Sequence, residues 1–255
     1  MKISRIVVFF MVAALAIAFV ACSDDDPANP PATSSSATAS SAAAFDWPTG
    51  VTYGNANATG YTFTNFDFNG GIKAVSDLLW AGSTLSTTTT ITGVVTYVDS
   101  YYGDTCFIQD KDAALYLYGS GIAVKPIAIG DKISVTVSAS GAYGQAPQVT
   151  TAALVQKIST GNALYLRTDL PADAEGKSLL RVFKGVVKAN TGRGATVTVG
   201  AQEIDLYTSS YEGASKVNLP TELEVGKNVL IIGPAHAKDG RTQVLITSRN
   251  QLAIW

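Results

Sequence analysis

Residues 91–118 read ITGVVTYVDSYYGDTCFIQDKDAALYLY. This stretch contains short runs rich in Val, Ile, Thr and Tyr, which Gly, Asp and Ser separate. β-Branched and aromatic residues favour strands, whereas Gly, Asp and Ser favour turns. The same pattern recurs along the chain after Phe45, and long amphipathic helical patterns are missing. The sequence therefore predicts an all-β protein.

One segment ahead of these strands has the spacing of a helix. Between Ile72 and Trp80, the apolar residues Ile72, Val75 and Leu79 fall on one helical face. Gly82 then supplies a helix stop. We expect a single short helix here.

The β-rich region contains two copies of one pattern. Each copy has a Gly-Val-Val string, a later apolar strand, and a Gly-containing turn that opens a further strand. The matched segments are residues 91–95 with 182–187, 114–120 with 204–209, and 129–135 with 225–231. Each copy supplies about five strands, which indicates a repeated module. We place the first copy at residues 85–160 and the second at residues 177–255.

Five strands in this order resemble the oligonucleotide/oligosaccharide-binding (OB) fold, a small Greek-key barrel. The string Ile108-Gln109-Asp110 and the helix-like segment upstream of it are similar to OB-like modules of bacterial surface lipoproteins. Similar modules precede the catalytic domains of some extracellular nucleases. The resemblance covers residues 72–158, whereas the second copy lacks an Ile-Gln-Asp string and is assigned from the repeat. It implies two tandem five-stranded OB-like barrels.

An aromatic-rich lead-in precedes the first barrel at residues 45–84. Its large apolar side chains would cost free energy if they were left in water. We therefore expect residues 45–82 to pack as a cover on the first barrel, and residues 160–176 to join the two barrels. The large aromatic side chains are Trp47, Tyr53, Tyr61, Phe63, Phe66, Phe68 and Trp80.

Residues 1–21 have the layout of a signal peptide. Lys2 and Arg5 precede an apolar run over residues 6–20, which is shorter than a membrane-spanning helix needs. The run ends in Phe19-Val20-Ala21-Cys22, which resembles the site of bacterial lipoprotein signal peptidase, although Phe19 replaces the usual Leu. The resemblance implies cleavage before Cys22, whose thiol would carry acyl chains such as palmitate. A membrane is then a partner through those chains.

Residues 22–44 are expected to form a disordered tether. They contain Pro, Ala, Ser and Thr but no large apolar residue, so they cannot bury enough surface to become ordered. Asp24, Asp25 and Asp26 resemble the surface-export tag of some Gram-negative lipoproteins, and an acidic solubilising patch is the alternative. We expect an outer-membrane lipoprotein displayed on the cell surface.

Residues suited to catalysis are sparse. His236 is the only histidine, and we expect it at an exposed hairpin turn. The sequence has neither a Cys/His pair at metal-ligand spacing nor a nucleophile or phosphate-loop motif. Asp99, Asp104, Asp110 and Asp112 lack the spacing of a calcium loop. We expect a protein that is not an enzyme and that needs no cofactor or metal.

The two mature cysteines do not suggest a disulfide framework. With Cys22 acylated, Cys106 has no intramolecular partner. Cys106 lies in an apolar string with Phe107 and Ile108, which favours a buried thiol over a reactive one.

Tyrosines suggest where a ligand would bind. Tyr116 and Tyr118 alternate with leucines, so both are expected on the outer face of one strand. Tyr101, Tyr102 and Tyr143 fall in loops next to the ligand-binding strands of an OB fold. Aromatic rings stack on sugars or bases, although tyrosine also suits half-exposed strands. These five tyrosines form the predicted binding site.

The balance of charge differs between the two copies. Residues 177–255 carry ten basic and six acidic residues, whereas residues 85–160 carry four basic and five acidic residues. A dispersed surplus of +4 is weaker than the dense Lys/Arg stripe typical of nucleic-acid binding.

Three functions remain open from the sequence. The first is a surface-displayed module that binds a glycan or another polymer, which the anchor, the tether and the tyrosines favour. The second is capture of extracellular nucleic acid. The third is a non-catalytic adaptor subunit of an envelope complex. Steep loss of binding with added salt would distinguish the second from the first.

Overall fold

Two β-barrels follow one another in the computed structural model, which describes residues 45–99, 105–118, 127–143, 146–170 and 177–255. The described part contains one α-helix, α1 (Ile72–Trp80), and a 3₁₀ turn at Arg249–Gln251. Neither of these described helices has the length and apolar character needed to cross a bilayer. The strands are β1 (Tyr53–Gly54), β2 (Tyr61–Thr62), β3 (Thr89–Asp99), β4 (Thr105–Gln109), β5 (Ala114–Leu117), β6 (Lys132–Tyr143), β7 (Ala146–Ser159), β8 (Leu164–Tyr165), β9 (Leu179–Asn190), β10 (Gly194–Val199), β11 (Gln202–Tyr207), β12 (Ser210–Tyr211), β13 (Ala214–Ser215), β14 (Asn228–Lys238), β15 (Arg241–Leu245) and β16 (Leu252–Ile254).

Barrel 1 consists of β3, β4, β5, β7 and β6, which are hydrogen-bonded in that order and closed by the β3–β6 pair. Its strand pairs are antiparallel except for the parallel pair β5–β7. This is the strand order of an OB fold. Inward-facing apolar side chains fill the barrel, and α1 packs on them through Ile72, Val75 and Leu79. The predicted helix is therefore present, and it covers the core of barrel 1.

Barrel 2 repeats this topology with β9, β10, β11, β15 and β14. The β14–β9 pair closes the barrel over eight residue pairs, from Asn228↔Val186 to Ala235↔Leu179. The pair β11–β15 is parallel and corresponds to β5–β7 of barrel 1. β16 and β1 extend the sheet beside β14. The prediction of an all-β chain with two tandem OB-like barrels is confirmed.

The shared Gly-Val-Val string marks a close approach in the first strand of each barrel. A Cβ on Gly93 would lie 2.8 Å from Ile72 Cδ1 and 2.9 Å from Ile108 Cβ. A Cβ on Gly185 would lie 2.4 Å from the carbonyl oxygen of Thr198. Both glycines therefore serve the packing of the strand.

The Ile108-Gln109-Asp110 string connects three parts of the fold. Ile108 lies in the core of barrel 1, and Gln109 Oε1 accepts a hydrogen bond from the backbone N–H of Leu180 in barrel 2 at 2.9 Å. Asp110 is fully buried, and its carboxylate accepts backbone hydrogen bonds from the residues before α1, from the start of α1 and from the β4–β5 turn. The donors to Asp110 are Gly70, Ile72, Asp112 and Ala113. The string therefore fixes architecture.

The lead-in contacts barrel 1, as expected, but it also covers barrel 2. In barrel 1, the Gly70 carbonyl accepts a hydrogen bond from the Thr92 N–H at 2.9 Å, and Lys132 Nζ lies 3.6 Å from the centre of the Phe68 ring. β1 pairs with β16 of barrel 2, and β2 pairs with β8 in the segment between the barrels. The lead-in aromatics pack on a cluster that includes Leu180 and Val182 of β9, Leu230 of β14, and Leu164 and Leu166 near β8. The reason is that β14 is buried on both faces, so its outer face needs an apolar cover.

The two barrels share an aromatic interface. Tyr97, Phe107 and Tyr116 on the outer face of barrel 1 cluster with Leu245 and Tyr207 of barrel 2. Ser209 Oγ and Ser210 Oγ donate hydrogen bonds to the Asp99 carboxylate across the interface at 3.1 and 2.8 Å. The barrels thus belong to one compact unit that includes the described residues. Cys22 and residues 1–44 lie outside the described residues.

Candidate functional site

The structure describes only part of the predicted tyrosine site. Tyr101 and Tyr102 lie outside the described residues, and Tyr143 is described only as the last backbone position of β6. Tyr118 is 49% exposed, in agreement with a surface position. Tyr116 is only 7% exposed, so the expectation that it lies on an open face is wrong.

The second barrel explains the burial of Tyr116. Its ring stacks on Phe107 at 4.3 Å between centroids and 9° between planes. The His236 ring of barrel 2 lies 6.2 Å from the Tyr116 ring and 6.1 Å from the Phe107 ring. The face on which an isolated OB barrel would hold its ligand is therefore occupied here by protein.

His236 is likewise not at an exposed turn. It lies in β14, opposite Gln243 of β15, and is 1% exposed. Burial, with a smaller contribution from the charge of Lys238, lowers the pKa of His236 from 6.5 to about 4. The neutral imidazole is therefore a packing residue at neutral pH. The nearly continuous apolar run of β14, from Val229 to Ala237, was the sequence signal of a strand buried on both faces.

The described candidate carboxylates form hydrogen bonds or an ion pair within the protein, and the Cys106 thiol is buried. The Asp99 carboxylate accepts hydrogen bonds from two serines of barrel 2, and the Asp110 carboxylate accepts them from four backbone N–H groups. Asp104 lies outside the described residues. Asp112 forms an ion pair with Lys111. Within the described ranges, no cluster of three or more His, Cys, Asp or Glu side chains could hold a metal. Burial raises the pKa of Cys106 to about 12, so this thiol is protonated and unreactive.

A groove lies where the lead-in meets both barrels, and we call it the junction groove. It consists of two adjoining clefts of about 500 and about 490 Å³ that share Tyr61, Ile129 and Asn250. Clefts of this size are within the range of small-ligand sites. Ile129 is 53% exposed at the shared wall, which is unusual for a large apolar side chain. The other lining residues include Asn55, Asn57, Thr59, Thr96, Tyr97, Asn162, Glu212, Thr247 and Ser248.

The asparagines of the groove are held by hydrogen bonds. Asn55 Nδ2 donates to Asn250 Oδ1 at 3.1 Å, and Asn57 Nδ2 donates to the Asn55 carbonyl at 2.7 Å. Asn162 Nδ2 donates to the Gly130 carbonyl at 2.8 Å. These contacts fix the orientation of the amides. Among the described residues, Asn55 Oδ1 and Asn250 Nδ2 remain available, one as acceptor and one as donor.

The junction groove has no basic lining residue among the described residues. Its acidic group is Glu212, whose Oε1 accepts a hydrogen bond from the backbone N–H of Arg249 at 2.5 Å. The groove thus combines amides, hydroxyls and tyrosine rings with one carboxylate. Such a surface forms hydrogen bonds with a polar neutral molecule and repels a dense anion.

Sequence reasoning missed this groove. Its asparagines come from the lead-in, from the segment after β7 and from the 3₁₀ turn near the C-terminus, at positions 55, 57, 162 and 250. The pairings β1–β16 and β2–β8 bring these segments together. No local pattern encodes such long-range pairings, and an Asn-rich turn is an ordinary sequence feature.

Several cations of barrel 2 form ion pairs. Lys188 and Arg241 both contact Glu203, and Arg241 also contacts Asp205 at 3.2 Å. Lys184 pairs with Asp46 of the lead-in at 2.8 Å. Glu203 and Asp205 are already counted in the surplus of +4, so only partners outside residues 177–255, such as Asp46, lower it further.

Comparisons with known proteins give a distant structural similarity. No protein-family model matches the chain, and no curated protein matches it. Similar solved structures include the tetrameric p202 HIN2 domain, with 10% identity, a TM-score of 0.28, and coverage of 68% of this chain and 94% of that chain. The Ifi202 HINa domain in complex with 20bp dsDNA has 10% identity, a TM-score of 0.31, and coverage of 68% and 96%.

A murine DNA-binding protein bound to double-stranded DNA is also similar, with 7% identity, a TM-score of 0.33, and coverage of 66% of this chain and 97% of that chain. At these identities and TM-scores, the similarity carries no argument about what this chain binds. The OB-like topology rests on the strand pairings of the two barrels.

Proposed function

We propose that this chain is a lipid-anchored binding protein that holds a neutral polar polymer, such as a glycan, in the junction groove. The observation that carries the proposal is the chemistry of the groove lining. Amides and hydroxyls both donate and accept hydrogen bonds, as sugar hydroxyls do. Tyr61 adds an aromatic surface at the wall shared by the two clefts.

Binding of neutral oligosaccharides to the mature chain tests this proposal. Calorimetry on a glycan panel should identify a ligand, and Tyr61→Ala and Asn250→Ala should weaken its binding. Loss of one hydrogen bond corresponds to about 1 kcal/mol, or roughly fivefold in affinity. Asn218→Ala is the control, because Asn218 is an exposed asparagine of barrel 2 outside the groove. Equal binding by all three variants would contradict the proposal.

Nucleic acid is the alternative ligand, and the same assay separates it. Two of the similar structures are complexes with double-stranded DNA. A phosphate backbone held by cations loses affinity steeply as salt rises, whereas a neutral sugar does not. In titrations at two salt concentrations, the affinity for double-stranded DNA should therefore fall at the higher salt, whereas the affinity for the glycan should stay the same. Tight, salt-sensitive binding of DNA with no glycan binding would replace our proposal with the alternative.

Anchoring through Cys22 is part of the proposal, and it rests on the Phe19-Val20-Ala21-Cys22 string. Cys22→Ala should abolish labelling with a palmitate analogue and release the protein from the membrane fraction. Cys106→Ala is the matched control, because Cys106 is buried. Labelling that persists in Cys22→Ala would rule out this anchor.

Surface display is tested separately with the acidic cluster. Changing Asp24, Asp25 and Asp26 together to Ala should preserve acylation but remove protease sensitivity on intact cells. Unchanged digestion would leave these residues with a solubilising role.

A further inference from the structure

A second groove lies away from the junction groove, and we call it the aromatic groove. Phe45, Phe63 and Tyr165 line it, and its volume is about 460 Å³. All three rings are only partly buried, so their surfaces are not consumed by the core. The Phe45 and Phe63 centroids are 5.8 Å apart with a 33° tilt, so the rings form an angled wall. The remaining lining residues are Leu166, Arg167, Thr168 and Asp169.

A charged cluster forms one side of this groove. Arg167 donates to Asp169 through Nε at 2.7 Å and through Nη2 at 3.1 Å. Arg181 Nη2 donates to the same carboxylate at 3.4 Å. Burial raises the pKa of Asp169. The hydrogen bonds and charges of Arg167 and Arg181 together lower it by more, so the net pKa shift is downward. Two guanidinium groups and one carboxylate leave this cluster with a net charge of +1.

Arg167 is the cation of this cluster that a ligand can reach. Its side chain is 38% exposed, whereas that of Arg181 is 4% exposed. Asp169 occupies the Nε–Nη2 edge of Arg167, and no described residue bonds Nη1. A guanidinium holds a carboxylate best through two parallel N–H donors on one edge. The Nη1–Nη2 edge of Arg167 is therefore suited to an incoming carboxylate.

We propose that the aromatic groove is a second saccharide-binding site, which takes a sugar that carries a carboxylate. The C–H face of the sugar stacks on Phe63 or Tyr165, and its carboxylate bonds Arg167. Charge complementarity selects this occupant, because the cluster has one positive charge in excess. A neutral sugar would use the rings alone.

The position of the aromatic groove relates it to the junction groove. Tyr61 lines the junction groove and lies two residues before Phe63, and Leu164 lines the junction groove and directly precedes Tyr165. Two residues of extended chain span about 7 Å. The two grooves therefore use neighbouring residues of the same two segments, although no described residue lines both. The acidic-sugar site itself does not depend on the junction groove binding a neutral ligand.

A matched pair of ligands tests the proposal with the full mature chain. Tetragalacturonate should bind, and its methyl ester, which lacks the charges, should bind at least tenfold more weakly. Arg167→Gln should weaken binding of the acid about tenfold or more and leave binding of the ester unchanged. Lys227→Gln is the control, because it removes an exposed charge of barrel 2 outside this groove. Phe63→Ala should weaken binding of both ligands.

Three outcomes would overturn the proposal. These are equal binding of acid and ester, equal effects of Arg167→Gln and Lys227→Gln, and tighter binding of a mononucleotide than of tetragalacturonate. Thermal midpoints of Arg167→Gln and Lys227→Gln should stay near that of the parent, because the Arg167 and Lys227 side chains are exposed at least in part. Asn250→Ala should not affect binding of a single galacturonate, so failure of the junction groove remains distinguishable from failure of this site.

Discussion

At the scale of single residues, Tyr116 and Tyr118 separate a packing role from a binding role. Tyr116→Ala should lower the free energy of unfolding by about 3 kcal/mol, because it removes a buried ring stacked on Phe107. Tyr118→Ala should change it by less than about 1 kcal/mol, since that ring is half exposed. Chemical denaturation of both variants measures the difference. Equal losses would contradict the placement of Tyr116 in the interface.

His236 gives a pH-dependent prediction. Its folded-state pKa of about 4 lies below the ordinary value of 6.5, so the unfolded chain binds a proton first as pH falls. The contribution of neutral His236 to stability is therefore complete above pH 6.5 and is lost towards pH 4, by about 3 kcal/mol in total. In His236→Gln this part of the pH dependence should disappear.

Denaturant titrations of both proteins at pH 7, 5.5 and 4 check this prediction. The difference in unfolding free energy between parent and variant should shrink as pH falls, because carboxylates elsewhere titrate equally in both proteins. A difference that stays constant with pH would show that His236 is not titrating in this way.

At the scale of elements, Asp110 joins α1 to the β4–β5 turn. Asp110→Ala leaves four backbone N–H groups without their acceptor, and two of them belong to Ile72 and Ala113, which are buried. We expect a loss of about 2–4 kcal/mol, because hydrogen bonds to a charged acceptor are stronger than neutral ones. Asp112→Ala is the control, since its carboxylate makes a partly exposed ion pair.

Hydrogen exchange reports the local effect of Asp110→Ala. Amides of α1 and of the β4–β5 turn should lose protection before those of β14 in barrel 2. A uniform loss of protection over both barrels would mean that Asp110 does not act through these two elements.

At the scale of the whole molecule, the barrels should unfold together. Tyr97, Phe107 and Tyr116 are buried with residues of barrel 2, so a separated barrel 1 would expose a contiguous aromatic face. Calorimetry of residues 45–255 should show one transition. Residues 72–160 alone should bind a hydrophobic dye and associate, whereas the two-barrel chain should not. Two transitions, or a monomeric barrel 1 that binds no dye, would contradict a shared core.

Local sequence patterns predict the all-β class, the short helix and the repeat of two OB-like barrels. These features are local, because each is encoded by a short segment of sequence. They are the composition of the strands, the glycines at close approaches and the helical spacing of apolar residues. The Ile108-Gln109-Asp110 string was recognisable for the same reason, although its role in joining α1, the turn and barrel 2 was not.

Which surfaces are open to solvent depends on tertiary contacts that the local patterns do not encode. Outward-facing Tyr116 and Tyr118 look alike along the chain, but docking of barrel 2 buries one and leaves the other exposed. The Asn55 and Asn250 side chains meet because β1 pairs with β16, across nearly the whole sequence. A sequence pattern records which face of a strand a residue occupies. What covers that face depends on contacts between distant segments, whose register no single segment contains.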